Sequence, residues 1–329
     1  MLKKTIHEQQ LIELLNVHYG INIHAVQLIL GGADMSAFGY KADSESNSYF
    51  VKVKFGDHNE INLSIISLLH DAGIEEIIFP IQTSEAKLFQ YEDHFKIIAY
   101  PFIHAPNGFT QNLTEKQWTQ LGKVLKKIHE TSVPASIQQQ LRQETYSTKW
   151  REIVRSFYSQ IKLNHADDII TADFKSFFKQ NIDAIYRLVD STEELSKKMK
   201  PDVDTYVLCH SDIHAGNVLV DKESIYIIDW DEPILAPKER DLMFIGGGVG
   251  NVWNKPHEIS YFYEGYGSTN INQTILSYYR HERIVEDMAL YGQDLLSRDQ
   301  NDQSRLESLK YFKSMFAPND VIEIAFSMS

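Results

Sequence analysis

The fold and the chemistry of this chain are indicated most clearly by the stretch VLCHSDIHAGNVLV at residues 207–220, which is followed at residues 227–231 by IIDWD. Asp212 lies two residues after a histidine and five residues before Asn217, and Asp229 ends the second apolar run. Two short strands joined by a tight turn can bring these three side chains around one point. Phosphoryl transfer needs one carboxylate near the attacking hydroxyl and hard oxygen ligands for Mg²⁺ beside the nucleotide phosphates. Asp and Asn are also common in turns, but a solvated turn does not explain this spacing, which therefore favours phosphoryl transfer.

The same stretch resembles the catalytic loop and metal-binding Asp of the aminoglycoside phosphotransferases and choline-kinase-like kinases, a family with the protein-kinase-like fold. It has the His-x-Asp form at residues 210–212 without the Arg of protein kinases, and the resemblance continues through residues 240–254 and 278–296. The resemblance implies an α+β, bilobal fold with a β-rich N-terminal lobe and a mostly helical C-terminal lobe. It also implies an enzyme that uses ATP and Mg²⁺ to phosphorylate a hydroxyl of the aminocyclitol antibiotic spectinomycin, which would inactivate the drug and give resistance.

The resemblance further implies a role for each polar residue of the stretch. Asp212 would orient the acceptor hydroxyl and help to deprotonate it, and Asn217 and Asp229 would hold Mg²⁺. His210 is expected to brace the loop through hydrogen bonds. A zinc site would need a clearer set of three or four ligands, and a thiol nucleophile at Cys209 would need a different local pattern.

The hydrophobic patterns divide the chain into a β-rich N-terminal lobe, residues 1–103, and a helical C-terminal lobe, residues 104–329. The resemblance implies that the first lobe binds the nucleotide and that the second holds the catalytic loop and acceptor pocket. A hinge is expected at about residues 99–108. The first lobe is rich in short runs that are typical of strands, with one helical period between them. The strand-like runs are 27–32, 37–42, 49–55, 76–80, 87–91 and 97–103, and the helical period covers 59–71.

The pattern of the second lobe is mainly helical. Thr114 and Gln117 have the spacing of a capping box, and an apolar stripe from Trp118 to Ile128 follows. Helical periods also cover about 174–198 and 271–298. Within this helical part, the runs 206–209, 218–220 and 225–228 predict short strands.

A kinase-like nucleotide site also needs a cation for the ATP phosphates and a carboxylate that holds that cation. Lys52 and Lys54 alternate with apolar residues, so they share one face of a predicted strand. The family's lysine follows an aromatic–aliphatic pair, which points to Lys52, and Glu60 at the start of the next helix is its expected partner.

Two further segments complete the expected nucleotide site. Gly31, Gly32 and Ser36 lie in a loop that could cover the phosphates with backbone N–H groups, although a plain β-turn explains them equally well. By resemblance, adenine is placed beside Pro101, Phe102 and Ile103. The glycine run at 246–250 lacks the third glycine of a dinucleotide fingerprint, which excludes that motif.

The acceptor pocket is expected to use carboxylates and hydrogen-bond acceptors, since the acceptor carries amines and hydroxyls. The candidate residues lie after the second predicted hairpin strand and are Asp231, Glu232, Asn251 and Trp253. Trp253 could stack on the acceptor or fill the core. Arg240 and Asp241 are expected to pair with each other and hold the loop. Glu264, Tyr266 and Asp287 are further candidates that the sequence does not rank.

Composition limits the other functions. The chain has 329 residues with 32 basic and 45 acidic side chains, a net charge of −13, so nucleic acid is an unfavourable partner. One cysteine excludes an internal disulfide framework. No signal-peptide pattern follows the first residues, and the apolar run 97–103 is too short to span a bilayer. We expect a cytoplasmic monomer without a membrane partner.

Two alternatives stay open at this stage. The same catalytic residues would serve a kinase for another alcohol, such as choline or a sugar, because the motif encodes the transfer and not the acceptor. A catalytically silent nucleotide-binding module is the other alternative. It is disfavoured because Lys52, Asp212, Asn217 and Asp229 are all present.

Overall fold

The computed structural model describes residues 6–29, 37–56, 59–163, 168–297 and 301–327. In chain order, the first part forms α1 (Glu8–Tyr19), β1 (Ile23–Ile29), β2 (Ala37–Ser44), β3 (Ser48–Phe55), α2 (Ile61–Asp71), β4 (Gln90–Glu92), β5 (Phe95–Pro101), α3 (Glu115–Glu130) and α4 (Ala135–Gln138). The rest forms β6 (Arg142–Gln143), α5 (Lys149–Leu163), α6 (Ile169–Gln180), α7 (Ile182–Lys198), β7 (Val207–Cys209), β8 (Val218–Val220), β9 (Ile225–Ile227), β10 (Ile234–Ala236), α8 (Glu239–Leu242), α9 (Pro256–Tyr266), α10 (Gln273–Leu296), α11 (Asp302–Ser314) and α12 (Val321–Ser327).

The chain separates into two compact units. The first contains the described residues of 1–111, 132–140 and 217–231, and the second contains those of 112–131, 141–216 and 232–329. These units do not follow the predicted division at 103/104. The β8–β9 hairpin belongs to the first unit because its backbone bonds there: Ile227 N donates to Glu76 O over 2.8 Å, and Val220 N donates to Pro106 O over 2.8 Å.

An antiparallel sheet with strand order β1-β2-β3-β5-β4 forms the centre of the first unit. On β3 the predicted alternation is confirmed, because Val51 and Val53 are fully buried in the core while Lys52 points to the other face. The register sets Lys52 opposite Gly39 of β2 and Ile98 of β5. A Cβ atom at Gly39 would lie 2.9 Å from the ring of Phe50, so a side chain at this position would require that ring to shift.

The second unit is mostly helical. It contains a small sheet with strand order β6-β10-β7. Strands β6 and β7 precede the predicted catalytic loop in the chain, and β10 follows it. The capping box of α3 is confirmed, since Gln117 N donates to Thr114 Oγ1 and Thr114 N donates to the Gln117 side chain. An edge-to-face aromatic cluster fills much of the core, with Phe174 at 6.3 Å from Phe157 and 5.0 Å from Phe312 between ring centroids.

Two helices of the second unit approach each other at glycines. A Cβ atom at Gly122 of α3 would lie 2.1 Å from Phe262 O, and one at Gly265 of α9 would lie 1.9 Å from Thr119 O. Because both neighbours are backbone atoms, no rotamer change can make room. The sequence pattern predicted α3 but not this crossing.

Three local predictions differ from the structure. The helical period 174–198 is two helices, α6 and α7, which meet at Asn181, a residue that competes with helical hydrogen bonding. The run 76–80 forms an isolated bridge from Ile77 to Ile227 and not a strand; Pro80 at its end cannot donate to a ladder. Helix α1 went unpredicted although Leu11 and Leu15 mark its buried face.

None of the helices in the described ranges is long and apolar enough to cross a lipid bilayer.

Candidate active site

The first unit contains a cleft of about 430 Å³. Its size and its mixture of apolar and polar walls are those of a small-molecule site. Apolar side chains line one part of it, namely Phe38, Phe50, Ile66, Pro101, Phe102, Ile103, Leu219 and Ile227. Polar side chains line the other part, namely Lys52, Asn62, Asn217, Asp229 and Asp231. The cleft thus brings together several of the residues predicted for adenine, phosphate and metal, namely Pro101, Phe102, Ile103, Lys52, Asn217 and Asp229.

Lys52 makes two ion pairs at the polar end of this cleft. Its Nζ lies 2.9 Å from Asp229 Oδ1 and 2.6 Å from Asp231 Oδ2. Burial alone would lower the pKa of Lys52, but the two carboxylates raise it above its ordinary value. Asp231, predicted as an acceptor residue, is therefore a partner of Lys52, and burial of its carboxyl is outweighed by Lys52 and Lys54, which hold its pKa below the usual value.

The predicted Lys52–Glu60 pair is not found among the described residues. Glu60 is exposed and immediately precedes α2, and its carbonyl accepts from Ser64 N over 3.0 Å. The carboxylates that face Lys52 come instead from the segment after β9, far along the chain. The residue of α2 that lines the cleft is the buried Asn62.

Lys52→Ala is expected to raise the KM for ATP about ten- to hundredfold, which corresponds to the loss of one hydrogen bond to a charged group. Lys54→Ala is the matched control. Lys54 also pairs with Asp231, over 3.2 Å, but it is not among the residues that line the cleft. Steady-state kinetics with varied ATP checks this expectation, and equal effects of the two variants would contradict it.

Asn217 and Asp229, the predicted Mg²⁺ ligands, are tied together by the β8–β9 hairpin. The backbone N–H of Ile228 donates to Asn217 O over 3.0 Å. Asp229 adopts a left-handed backbone conformation with φ 63°, which is strained for a residue other than glycine. Its side chain is 48% exposed. An amide and a carboxylate oxygen on one cleft wall fit the preference of Mg²⁺ for hard oxygen ligands.

Asp212, the predicted catalytic residue, lies in the second unit on the loop after β7. Arg283 Nη1 donates to its Oδ1, and His214 Nε2 lies 3.6 Å from its Oδ2. Burial opposes ionisation of the carboxyl, but the charge of Arg283, with His214 and His210, holds the pKa of Asp212 below its usual value. Asp212 is therefore an ionised hydrogen-bond acceptor at neutral pH.

The backbone of this loop is held by Asp241, which is fully buried. Asp241 accepts from His210 N over 2.9 Å, from Ser211 N over 2.7 Å and from His129 Nε2 over 3.0 Å. Ser211 has φ 72°, so the two successive N–H groups are presented by a strained turn. The predicted Arg240–Asp241 pair is not the one that forms, since Arg240 lies 3.7 Å from Glu286 instead.

His210 also braces the loop, as expected, because its Nδ1 accepts from Asp212 N over 3.2 Å. The ligand-type atoms of His129, Cys209 and Asp241 lie within 4.8 Å of one another. This group is unsuited to a metal, because burial raises the pKa of the Cys209 thiol and Asp241 is used by its hydrogen-bond donors.

The remaining acceptor candidates occupy varied environments in the second unit. Glu232 is exposed and pairs with Arg142 over 3.0 Å. Asn251 is exposed and accepts from Asn254 over 2.8 Å. Trp253 is buried and packs edge-to-face on Trp118 with ring centroids 5.1 Å apart. This favours a core position for Trp253 over stacking on the acceptor.

Gly31, Gly32 and Ser36 lie outside the described residues. Arg283 was not singled out, and it is located only by its place on the predicted helix 271–298. No local pattern marks it, because its partner Asp212 is 71 positions away.

Comparison with known proteins agrees with this description. Residues 67–261 match the family model for the phosphotransferase enzyme family, APH. A comparison with curated proteins found no match. Among solved structures, spectinomycin phosphotransferase APH(9)-Ia in complex with ADP and spectinomycin is similar at 76% identity and a TM-score of 0.95, with 99% of each chain covered.

Two further structures are similar. The AMP-bound complex of spectinomycin phosphotransferase APH(9)-Ia is 74% identical, with a TM-score of 0.91 and coverage of 98% of this chain and 99% of that one. Amicoumacin kinase hAmiN, in complex with AMP-PNP, Ca²⁺ and Ami, is 14% identical with a TM-score of 0.63 and coverage of 97% and 94%, which shows a shared fold. The predicted α+β, kinase-like fold is confirmed, and the chain belongs to the phosphotransferase enzyme family.

Proposed function

We propose that this phosphotransferase transfers the γ-phosphate of ATP to a hydroxyl of spectinomycin. The observation that carries the proposal is the similarity to spectinomycin phosphotransferase APH(9)-Ia, at 76% identity over 99% of both chains with a TM-score of 0.95. That structure contains ADP and spectinomycin. Identity at this level across the whole chain extends beyond a shared fold and supports a shared acceptor.

The cleft of the first unit is the proposed nucleotide site. Its apolar wall, with Pro101, Phe102 and Ile103, supplies surfaces for a flat ring. Lys52 at the polar end is the proposed contact of the ATP phosphates. Both of its present partners are carboxylates, so a phosphate oxygen offers Lys52 a ligand of the same charge and hardness.

Mg²⁺ is the proposed metal, and Asn217 and Asp229 would hold it. Their oxygen donors fit this ion, and both residues line the nucleotide cleft. When bound, the ion neutralises charge on the phosphate oxygens.

Asp212 is the proposed catalytic residue. As an ionised carboxylate it accepts the proton of the acceptor hydroxyl in a hydrogen bond and so directs an oxygen lone pair at the γ-phosphorus. The new P–O bond to the acceptor forms as the bond between the γ-phosphorus and the bridging oxygen breaks. ADP takes the electron pair of that bond, and the hydroxyl proton passes to Asp212. Because the pKa of Asp212 is lowered, proton transfer is expected late, after most of the P–O bond has formed.

Phosphorylation would change the drug in a way that opposes its binding to RNA. A phosphate monoester adds about 1.5 to 2 negative charges at neutral pH. The modified drug would therefore be repelled by an RNA backbone, which supports antibiotic resistance as the outcome.

The proposal is tested by ADP release from the purified protein with ATP and Mg²⁺. Spectinomycin, streptomycin, kanamycin and choline are added in separate reactions, and Asp212→Ala serves as the blank. We expect release that depends on spectinomycin and on Asp212. ADP release with choline or another acceptor, but not with spectinomycin, would support kinase activity and overturn the assignment of spectinomycin as the acceptor.

A further inference from the structure

We propose that Arg283 is a positioning residue for phosphoryl transfer: it fixes the Asp212 carboxylate, and Asp287 in turn holds Arg283. This inference rests on the proposed function, in which Asp212 orients the acceptor hydroxyl. It adds an element of the site that has no counterpart in the sequence motif.

The contacts of Arg283 support this role. Its Nη1 donates to Asp212 Oδ1, and its Nε lies 3.1 Å from Asp287 Oδ1, one helical turn along α10. The guanidinium also lies over the ring of Phe244, with 5.8 Å between its central carbon and the ring centroid. Only 16% of the side chain is exposed. A planar group held on three sides has few rotamers available, so it can define where the Asp212 carboxylate lies.

The surrounding charges support the same conclusion. Burial alone would lower the pKa of Arg283. Three carboxylates outweigh burial and raise this pKa, in decreasing order of effect Asp287, Asp212 and Glu286. Burial raises the pKa of Asp287 to about 6 in spite of Arg283. Asp212, in contrast, has a lowered pKa, because Arg283 outweighs the effect of burial there.

Two further charged neighbours of Asp212 lie on its own loop, and Asp287 of α10 also interacts with it electrostatically. His214 and His210 contribute smaller favourable effects to its ionisation. Each accepts a backbone N–H through Nδ1, from Gly216 and Asp212 respectively. These two side chains are therefore held by the loop itself, whereas the Arg283 guanidinium reaches the Asp212 carboxylate from α10.

Removing Arg283 is expected to have two consequences. The Asp212 carboxylate loses the contact that fixes its direction, so fewer bound acceptors have a hydroxyl aligned for attack. The carboxylate also loses its main compensating charge, so its pKa rises and its active, ionised form is lost at a higher pH. An ion pair that only stabilised the fold would produce neither the fall in kcat nor the shift of the acid limb.

The test compares Arg283→Gln and Arg283→Lys with Arg155→Gln as a matched control. Arg155 is also a helical arginine with two carboxylate partners, Asp190 at 3.0 Å and Glu193 at 3.5 Å, but it does not contact Asp212. For Arg283→Gln we expect kcat to fall about 100-fold, as a small misplacement can cause. The KM for ATP is expected to stay within about twofold, and Lys should restore part of kcat.

The pH profile gives the readout that separates positioning from stability. The acid limb of kcat/KM is expected to move to higher pH in Arg283→Gln and to stay in place in Arg155→Gln. A lower melting temperature with an unmoved acid limb would overturn the proposal, as would parental kcat in Arg283→Gln.

A second measurement does not need the acceptor. The ¹³C resonance of the Asp212 carboxyl, assigned through Asp212→Asn, can be titrated in the parent and in Arg283→Gln. A higher pKa in the variant supports the inference, and an equal pKa overturns it. If the parent releases no ADP with spectinomycin, the proposed function fails, yet this titration still decides whether Arg283 controls Asp212.

Discussion

Replacing Asp212 with asparagine is expected to lower kcat by about 10²- to 10⁴-fold, the usual contribution of a positioned acid–base group. Asparagine keeps the shape of the side chain and can still accept from Arg283. It lacks the negative charge that attracts the hydroxyl proton and it cannot take that proton up. The loss should therefore appear in kcat. The KM for ATP is expected to stay within about twofold, because Asp212 does not line the nucleotide cleft.

Asp71→Asn is the matched control for this variant, since Asp71 is 82% exposed. Pre-steady-state measurement of a single turnover isolates the chemical step from product release. Turnover within a few-fold of the parent in Asp212→Asn would contradict the assigned role. A large rise in the KM for ATP would place Asp212 in nucleotide binding instead.

Replacing Asp241 with alanine is expected to lower the free energy of unfolding by about 3–5 kcal/mol, as the removal of one partner from a buried polar network does. Three donors lose their acceptor, namely the N–H groups of His210 and Ser211 and Nε2 of His129. All of them are buried, so water cannot replace the carboxylate without entering the core. Urea unfolding of the variant and the parent measures the difference.

The pH dependence of that difference has a definite sign. Burial raises the pKa of Asp241, but the hydrogen bond and charge of His129 outweigh it, and the net pKa is lowered. A carboxyl with a lowered folded pKa stabilises the protein above the unfolded pKa of about 4, and this contribution is lost as the pH falls through the folded pKa. The gap between parent and Asp241→Ala is therefore expected to be full at pH 7 and to shrink in acid. A gap that is constant down to acid unfolding would contradict the ionised network.

Local patterns could predict the parts of this protein that depend on neighbours in sequence. The short strands that flank Asp212, Asn217 and Asp229 follow from apolar runs, and the choice of β3 face for Lys52 follows from strict alternation. The capping box of α3 is contained in four residues. Family resemblance then supplied the roles, and the whole-chain similarity bears out the fold.

Long-range partners could not be predicted in the same way. Lys52 has two carboxylates 177 and 179 positions away as partners, and the expected neighbour Glu60 was chosen only because it begins the next helix. His129 reaches Asp241 across 112 positions. Each of these contacts depends on how separate elements pack, and neither periodicity nor turn chemistry encodes that packing.

Trp253 illustrates the same limit for a single residue. A tryptophan in a loop beside glycines and asparagines is compatible with a stacking wall or with a core position. The burial of Trp253 and the neighbouring ring of Trp118, 135 positions earlier in the sequence, favour the core position. Its left-handed backbone, with φ 59°, is consistent with packing that overrides local preference.

The glycine crossing of α3 and α9 has a consequence for genetics. If variants were selected by survival on the drug, Gly122 and Gly265 would score as intolerant as Asp212, because any side chain there meets backbone at about 2 Å. Survival alone would therefore not distinguish two classes of essential residue: those that take part in the reaction and those that allow two helices to pack closely. Counting the protein that accumulates in each clone would separate them, since the helix-contact class would be depleted from the cell and the reaction class would not.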